Sequence, residues 1–314
     1  MYASYFGLKE NPFNLSPDPR YLFPSDHHRE ALNHLIYGIA ERKGFIVMTG
    51  GIGTGKTTLC RSLLASLDGS VESALVFNAA MSDLELLETI NQEFHIPVNA
   101  GEKSKKRCID ALNGFLLKSY GEGKNVVLLI DEAQNLSHEM LEQLRLISNL
   151  ETEREKLIQM VLIGQPELQA MLSSPSLKQL SERITVRYDL SPLDGNDVEL
   201  YIRHRLDVAG GEGRVSFSRP ACRLVYRHSR GIPRRINAIC DRAMLIAYTR
   251  ETAEINWRIV REAVRDIGPA YLTGRAAPGA YRRNRWAMFA IAALLLAAAT
   301  AMVYGDRIRA FFSF

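Results

Sequence analysis

The sequence predicts an α/β fold with a five-stranded parallel sheet, followed by a small α-helical domain and a C-terminal apolar helix. Three observations carry this expectation. Between residues 43 and 192, five short apolar runs alternate with amphipathic helical patterns, as in a sheet covered on both faces. The β signal then fades, and residues 193–267 read as successive helices. Near the end of the 314-residue chain, Trp286–Tyr304 contains nineteen residues without a charge.

Each element has its own warrant. Residues 1–42 read as an arm and a helix packed on the core. Asn11-Pro12, Ser16-Pro17 and Asp18-Pro19 mark turns in the arm, and Phe13, Leu15, Tyr21, Leu22 and Phe23 supply apolar anchors. A helix His28–Glu41 follows, with Ser25 or Asp26 as N-cap and Leu32, Leu35, Ile36 and Ile39 on one side. Strands are expected at Phe45–Thr49, Ala74–Asn78, Val126–Ile130, Leu157–Ile163 and Ile184–Tyr188. Helices are expected at Leu59–Leu67, Asp83–Phe94 and Glu139–Leu150, and then at Asp194–Ala209, Arg219–Ser229, Pro233–Arg250 and Asn256–Asp266.

Composition narrows the chemistry. A net charge of +4 gives little global attraction for nucleic acid. The charge is uneven, however: Arg203–Arg265 holds fourteen arginines, no lysine and six acidic residues. Cys60, Cys108, Cys222 and Cys240 lie far apart, without the close pairs of a zinc site, and read as reduced thiols of a cytosolic domain. Residues 1–20 are polar and rich in Pro and Asn, unlike a cleavable export signal, so the chain is not expected to be exported whole.

The first expected strand runs into Gly50-Gly51-Ile52-Gly53-Thr54-Gly55-Lys56-Thr57, the complete G-x-x-x-x-G-K-[ST] spacing between a strand and a helix. Its glycines let backbone N–H groups face phosphate oxygens, and the helix N-terminus adds a favourable dipole. Lys56 then reaches the β- and γ-phosphates of ATP and the Thr57 hydroxyl binds Mg²⁺. The nucleotide-binding stretch is taken to run from Gly50 to Thr58. VVLLIDEAQ, Val126–Gln134, delivers an acidic pair at the C-terminal end of an apolar strand, where ligands bind in open α/β sheets. Asp131 is expected to hold Mg²⁺ through water, and Glu132 to orient and deprotonate the attacking water. Alone, such a pair also suits an N-cap; beside a complete phosphate loop the catalytic reading is preferred. Arg183 and Arg234 are candidates for meeting transition-state charge, although either would otherwise read as an ordinary surface arginine.

At this point a resemblance enters. The Walker A loop, the Walker B DEAQ, VLIGQPEL, LSERITVRY and GIPRRIN together resemble a P-loop AAA+ ATPase. The opening YFGLKENPFNLSPDPRYLFPS, with GGIGTGKTTL and LLIDEAQNLS, resembles the general secretion pathway protein A type of inner-membrane ATPase. Relatives of that type are linked to pilus and exopolysaccharide export. The likeness covers residues 1 to about 267. It implies that Gln165 is the sensor 1 residue, that Arg183 is the arginine finger with Arg187 as the alternative, and that Arg234 is sensor 2 with Arg235 adjacent. It places His28 and Tyr37-Gly38-Ile39 around adenine. It also implies a homo-oligomeric ring, a hexamer being one size, and an inner-membrane partner.

As a helix, Trp286–Tyr304 rises about 28 Å, close to the hydrocarbon thickness of a bilayer. Eight of its residues are alanine, which leaves it marginal in hydrophobicity. Trp286 and Tyr304 stand where aromatic belts form, and Arg282, Arg283 and Arg285 outweigh Asp306, Arg307 and Arg309, favouring a cytoplasmic amino side. The expected organisation is a linker with a basic juxtamembrane segment (268–285), a transmembrane helix (286–304) and a short periplasmic tail (305–314). A buried Ala-rich helix or an oligomer contact is the other reading. Fuller family members carry a peptidoglycan-binding module beyond the membrane, and Gly305–Phe314 is too short to fold into one.

The function expected is a single-pass, membrane-anchored ATPase, its catalytic domain on the cytoplasmic side of a bacterial inner membrane. It would bind and hydrolyse ATP to assemble or regulate an envelope export system. Arg219, Arg223, Arg227 and Arg230 share a helix face opposite Ala221 and Leu224, which suits DNA phosphates, acidic lipid or plain solvation. The alternatives are thus a DNA-associated regulator of the transposition type, without a helix-turn-helix or zinc finger to support it, and a nucleotide-dependent switch with little turnover.

Overall fold

The computed structural model of the protein describes residues 1–77, 81–97, 104–151, 155–268 and 271. The expected transmembrane segment, the tail and most of the linker lie outside these residues. Among the described residues no helix is long and apolar enough to cross a membrane. Met1–Ala263 form one compact unit; the other, Val264–Phe314, begins within the last turn of the final described helix.

A short helix α1 (Tyr2–Tyr5) opens the chain, and α2 (Asp26–Ala40) follows the arm, capped by the Ser25 side chain as its sequence suggests. The sheet comprises β1 (Phe45–Gly50), β2 (Val71–Val76), β3 (Asn125–Ile130), β4 (Gln159–Gly164) and β5 (Ile184–Leu190). All neighbours are parallel, in the order β2-β3-β4-β1-β5. Between the strands lie α3 (Lys56–Ser66), α4 (Asp83–Glu93), α5 (Lys105–Gly121), α6 (His138–Ile147), α7 (Pro166–Leu172) and α8 (Lys178–Arg183).

Strand alternation divides the core into two layers. Phe45, Val47, Leu128, Ile130, Met160 and Leu162 pack with the apolar faces of α4, α5 and α6. The intervening Ile46, Met48, Val127, Leu129, Val161 and Ile163 pack with Leu35 of α2 and with Leu59 and Leu63 of α3. Burial on both faces explains why β1 and β4 read as unbroken apolar runs. The edge strand β2 starts earlier than expected, at Val71, because Glu72 and Ser73 belong to a partly exposed strand whose polarity hides its beginning.

After β5 come α9 (Gly195–Val208), α10 (Arg219–Ser229), α11 (Pro233–Thr249) and α12 (Trp257–Ile267). Two very short strands, β6 (Ser216–Phe217) and β7 (Glu254–Ile255), pair in parallel within this helical segment, too short to leave a periodic signal. Its turn before α11 is tight. Gly231 has φ +73°, and a Cβ there would stand 1.8 Å from the Leu193 carbonyl oxygen.

The arm departs from expectation, since its first half packs on the helical segment rather than on the α/β core. The Tyr2 hydroxyl lies between Asn11 Oδ1 and Asp241 Oδ1 of α11, and the Lys9 amide donates to Ala209 O at 2.8 Å. Arg205 of α9 is buried; it donates to the carbonyls of Pro12 and Asn14 and lays its guanidinium 4.5 Å from the Tyr21 ring centroid. Phe13 and Tyr21 are buried anchors, but Leu15 is half-exposed. All four cysteines are free and buried.

Gly231→Ala is expected to cost about 2 kcal/mol or more, because the overlap is with backbone rather than with a movable side chain. Urea unfolding checks this through a lower midpoint at unchanged slope.

Candidate nucleotide-binding site

The C-terminal ends of β1 and β3 lie at the same edge of the sheet, so the phosphate loop and the acidic pair are delivered side by side. The loop after Gly50 turns through Gly53 (φ +79°) and Gly55 (φ +106°), left-handed conformations that favour glycine. Gly53 has a second constraint: a Cβ would come 2.6 Å from Arg234 Cβ. The Thr54 hydroxyl donates to Gly51 O at 2.9 Å. Below the loop, His28 Nε2 donates to Thr54 O at 3.1 Å, while Ser25 Oγ lies 2.7 Å from Nδ1. Burial pushes the His28 pKa below the usual histidine value, with the Thr54 carbonyl acting against it. The neutral Nε2–H tautomer satisfies both contacts, since a carbonyl can only accept.

Lys56 opens α3 and is 6% exposed. Its ammonium donates to Gly50 O at 2.8 Å and Gly51 O at 3.1 Å. Burial lowers its pKa, opposed by the charges of Glu132, Asp131, Asp189 and Glu167. The Thr57 hydroxyl donates to Asp131 Oδ2 at 2.8 Å, and Asp131 Oδ1 accepts from the Glu132 amide at 2.9 Å. A hydroxyl beside one carboxylate is a hard-oxygen donor set, suited to Mg²⁺, which keeps waters and phosphate oxygens in its remaining positions. Among the described residues no group of three His, Cys, Asp or Glu side chains could hold a metal by itself.

Glu132 sits at φ +54°, a conformation that costs a non-glycine residue about 1 kcal/mol or more. Its Oε2 accepts from Gln134 Nε2 at 2.6 Å and from Gln165 Nε2 at 3.1 Å. The Gln165 amide in turn donates to Gln134 Oε1 at 3.0 Å. Burial tends to raise the Glu132 pKa, but the two carboxamide donors and the Lys56 charge outweigh it and hold the carboxyl below its ordinary value.

Ile52, Gly53, Gly55, Lys56, Thr57, Thr58, Glu132, Gln165 and Arg234 line one cleft. Gly50, Gly51 and Thr54 shape its loop, and Asp131 is reached through Thr57. Arg234 stands in the first turn of α11, where its amide donates to Gly53 O at 3.2 Å. Arg183 lies elsewhere. It ends α8 and donates to Ser148 Oγ at 2.9 Å and Arg145 O at 3.4 Å, at the C-terminal end of α6. Arg187 donates to Ser181 Oγ at 2.8 Å, and neither it nor Arg235 lines the cleft.

The expected adenine wall is only partly there. His28 lines the cleft, but Tyr37 is exposed, Gly38 packs on the Ile46 side chain and Ile39 is in the core. The arm from Asn14 to Phe23 lines the cleft instead, with Tyr201, Arg205 and Asn237 behind it. Tyr201 Oη donates to Asn237 Oδ1 at 2.8 Å and accepts from Arg205 at 2.9 Å. Sequence reasoning missed this network, although an arginine between Ile202 and Leu206 on the apolar side of α9 was a usable signal. It also missed Gln134, two residues from Glu132.

Residues 39–172 match a family described as an AAA domain. Over 255 residues, 81% of the chain, the sequence is 48% identical to general secretion pathway protein A of Aeromonas hydrophila. That match covers 46% of the relative, so the chain spans less than half its length. The fold is similar to that of Cdc6p from Pyrobaculum aerophilum, with a TM-score of 0.66 at 18% identity over 82% of this chain and 71% of that one. It is also similar to the ORC2 protein of Aeropyrum pernix in its ADPNP–ADP complexes, with a TM-score of 0.64 at 18% identity over 83% and 72%. At such identities the likeness is one of fold alone. The matched AAA domain and that fold make this an AAA+ P-loop protein. Within that class the chain belongs to the general secretion pathway protein A family.

Replacing both Gln134 and Gln165 by Leu should raise the Glu132 pKa towards or above the ordinary carboxyl value, because burial then acts with less opposition. A pH titration of the Glu132 carboxyl ¹³C shift reads this directly; an unmoved midpoint would contradict the assigned cause.

Proposed function

We propose that this protein is a membrane-anchored AAA+ ATPase that binds and hydrolyses ATP to assemble or regulate an envelope export system. The observation that carries the hydrolytic part is the way Glu132 is held. Both carboxamide donors fall on Oε2, and among the described residues Oε1 has no protein donor. A carboxylate fixed by one oxygen and open at the other is arranged to orient a water and take its proton. Lys56 meets phosphate charge, and the amides of Gly50–Thr58 bind phosphate oxygens. Thr57 directly, and Asp131 through water, would hold Mg²⁺, which supplies charge neutralisation across the phosphate oxygens when bound.

Gln165 and Gln134 position Glu132. Arg234, set against the loop by its amide contact with Gly53, is assigned to the nucleotide's charge as sensor 2, and residues 193–267 act as a lid over the core formed by 43–192. Residues 1–42 are assigned as the arm and its helix. Arg183, outside its own cleft, suits delivery to the cleft of a neighbouring subunit in a homo-oligomeric ring. Anchoring rests on the uncharged segment 286–304 between the linker (268–285) and tail (305–314), and the export role on the relative's name.

Steady-state phosphate release from reconstituted chain is expected to fall about 10²-fold or more in Glu132→Gln, with ATP affinity retained. Equal rates would remove Glu132 from the chemistry, and tight binding with negligible wild-type turnover would favour the switch. In Arg183→Ala, nucleotide affinity should be unchanged while turnover drops about 10³-fold. Mixing these chains with Glu132→Gln chains, which supply an intact Arg183, should restore part of it.

A further inference from the structure

Nucleotide chemistry leaves one strongly charged surface without a role. Arg219, Arg223 and Arg227 of α10 are exposed, as is Arg230 at its left-handed C-cap rather than on the helix as the sequence suggests, while Ala221, Cys222, Val225 and Ser229 are buried behind them. Helical spacing sets Arg219, Arg223 and Arg227 in one stripe, with Arg230 just past the helix end and the half-exposed Tyr226 among them. Arg219 lies 4.0 Å from Glu199, a carboxylate it shares with Arg203. Among the described residues no carboxylate pairs with Arg223, Arg227 or Arg230. Like charges at i,i+4 spacing destabilise a helix, and among the described residues only the long Arg219–Glu199 contact offsets that repulsion. A counter-charge outside the chain would offset the rest.

The small sheet adds a second feature. Phe217 pairs with Ile255, so Arg219 and Trp257 each stand two residues beyond a paired position, at one end of the ladder. Trp257 is partly exposed, with the guanidinium groups of Arg261 and Arg258 at 4.4 and 5.5 Å from its ring. Exposed Tyr and Trp among arginines match the bilayer interface, where amphipathic rings sit at headgroup level and cations meet anionic lipid. A DNA duplex would use the cations but leave the rings without a comparable partner.

We propose that this face of the helical segment lies against the anionic headgroups of a lipid bilayer. The inference rests on the anchoring reading above. Residues 268–285 can span at most about 60 Å, which keeps the ATPase within reach of the bilayer that 286–304 would enter.

The test uses the full chain reconstituted into vesicles of phosphatidylcholine alone or mixed with phosphatidylglycerol. Arginines are modified with an aqueous dicarbonyl reagent and read by mass spectrometry. In anionic vesicles, labelling of Arg219, Arg223, Arg227 and Arg230 should fall about five-fold or more and recover in high salt, with exposed Arg29 unchanged. Equal labelling in the two vesicle types overturns the proposal and leaves anchoring intact. If the chain fails to float with neutral vesicles, it is the anchoring reading that fails. The face is then judged by flotation with anionic vesicles alone. Recruitment that is lost in Arg223→Gln/Arg227→Gln supports it, and absent recruitment overturns it. Protection of these arginines by duplex DNA at physiological salt, without protection by anionic lipid, assigns the face to nucleic acid and likewise overturns it.

Discussion

The amide of Arg234 donates to the carbonyl of Gly53 across 3.2 Å, and the shape of the cleft follows from that contact. First-turn amides of a helix have no partner within it, so Pro233 at the start of α11 leaves the next N–H free to reach the loop. The approach needs a bare Cα at Gly53, and the turn behind it needs another at Gly231. Two helix amino-terminal ends, those of α3 and α11, therefore meet at one loop. Both carry positive partial charge, so the arrangement is relieved by an anion between them. The proposed phosphate site would thus be made by two layers of the molecule together.

The acidic side of the cleft has a different logic. Asp131 is buried and bound to Thr57, while Glu132 turns outward only by accepting a left-handed backbone. That turn separates two adjacent carboxylates. One is committed to a hydroxyl under the loop, and the other faces two carboxamides across the cleft. Lys56 lies between these charges and the loop carbonyls. Nucleotide would exchange those contacts for stronger ones with phosphate.

What was legible in the sequence is what local physics dictates. The glycine spacing of the phosphate loop, the apolar strands β1, β3 and β4, and the capped start of α2 each follow from neighbouring residues alone. α5 was not legible. Its first turn carries Lys105, Lys106 and Arg107, where the helix dipole disfavours cations, and Asn113-Gly114 in its middle imitates a turn. Tertiary burial of Cys108, Leu112 and Leu116 overrides both signals. The arm's place on α9 and α11 was hidden for a related reason. Its anchors are single contacts over nearly two hundred residues of separation, such as Arg205 with Pro12, and no periodicity reports them.

The arm's path has a mechanical consequence. Its beginning is pinned to α9 and α11, it crosses the cleft, and it joins α2 against the sheet. Residues 191–194, between β5 and α9, make a second covalent crossing between the same two layers. Two crossings restrict how the helical layer can shift over the sheet more than one would, and both border the cleft, the arm along Asn14–Phe23 and the second crossing at Leu193.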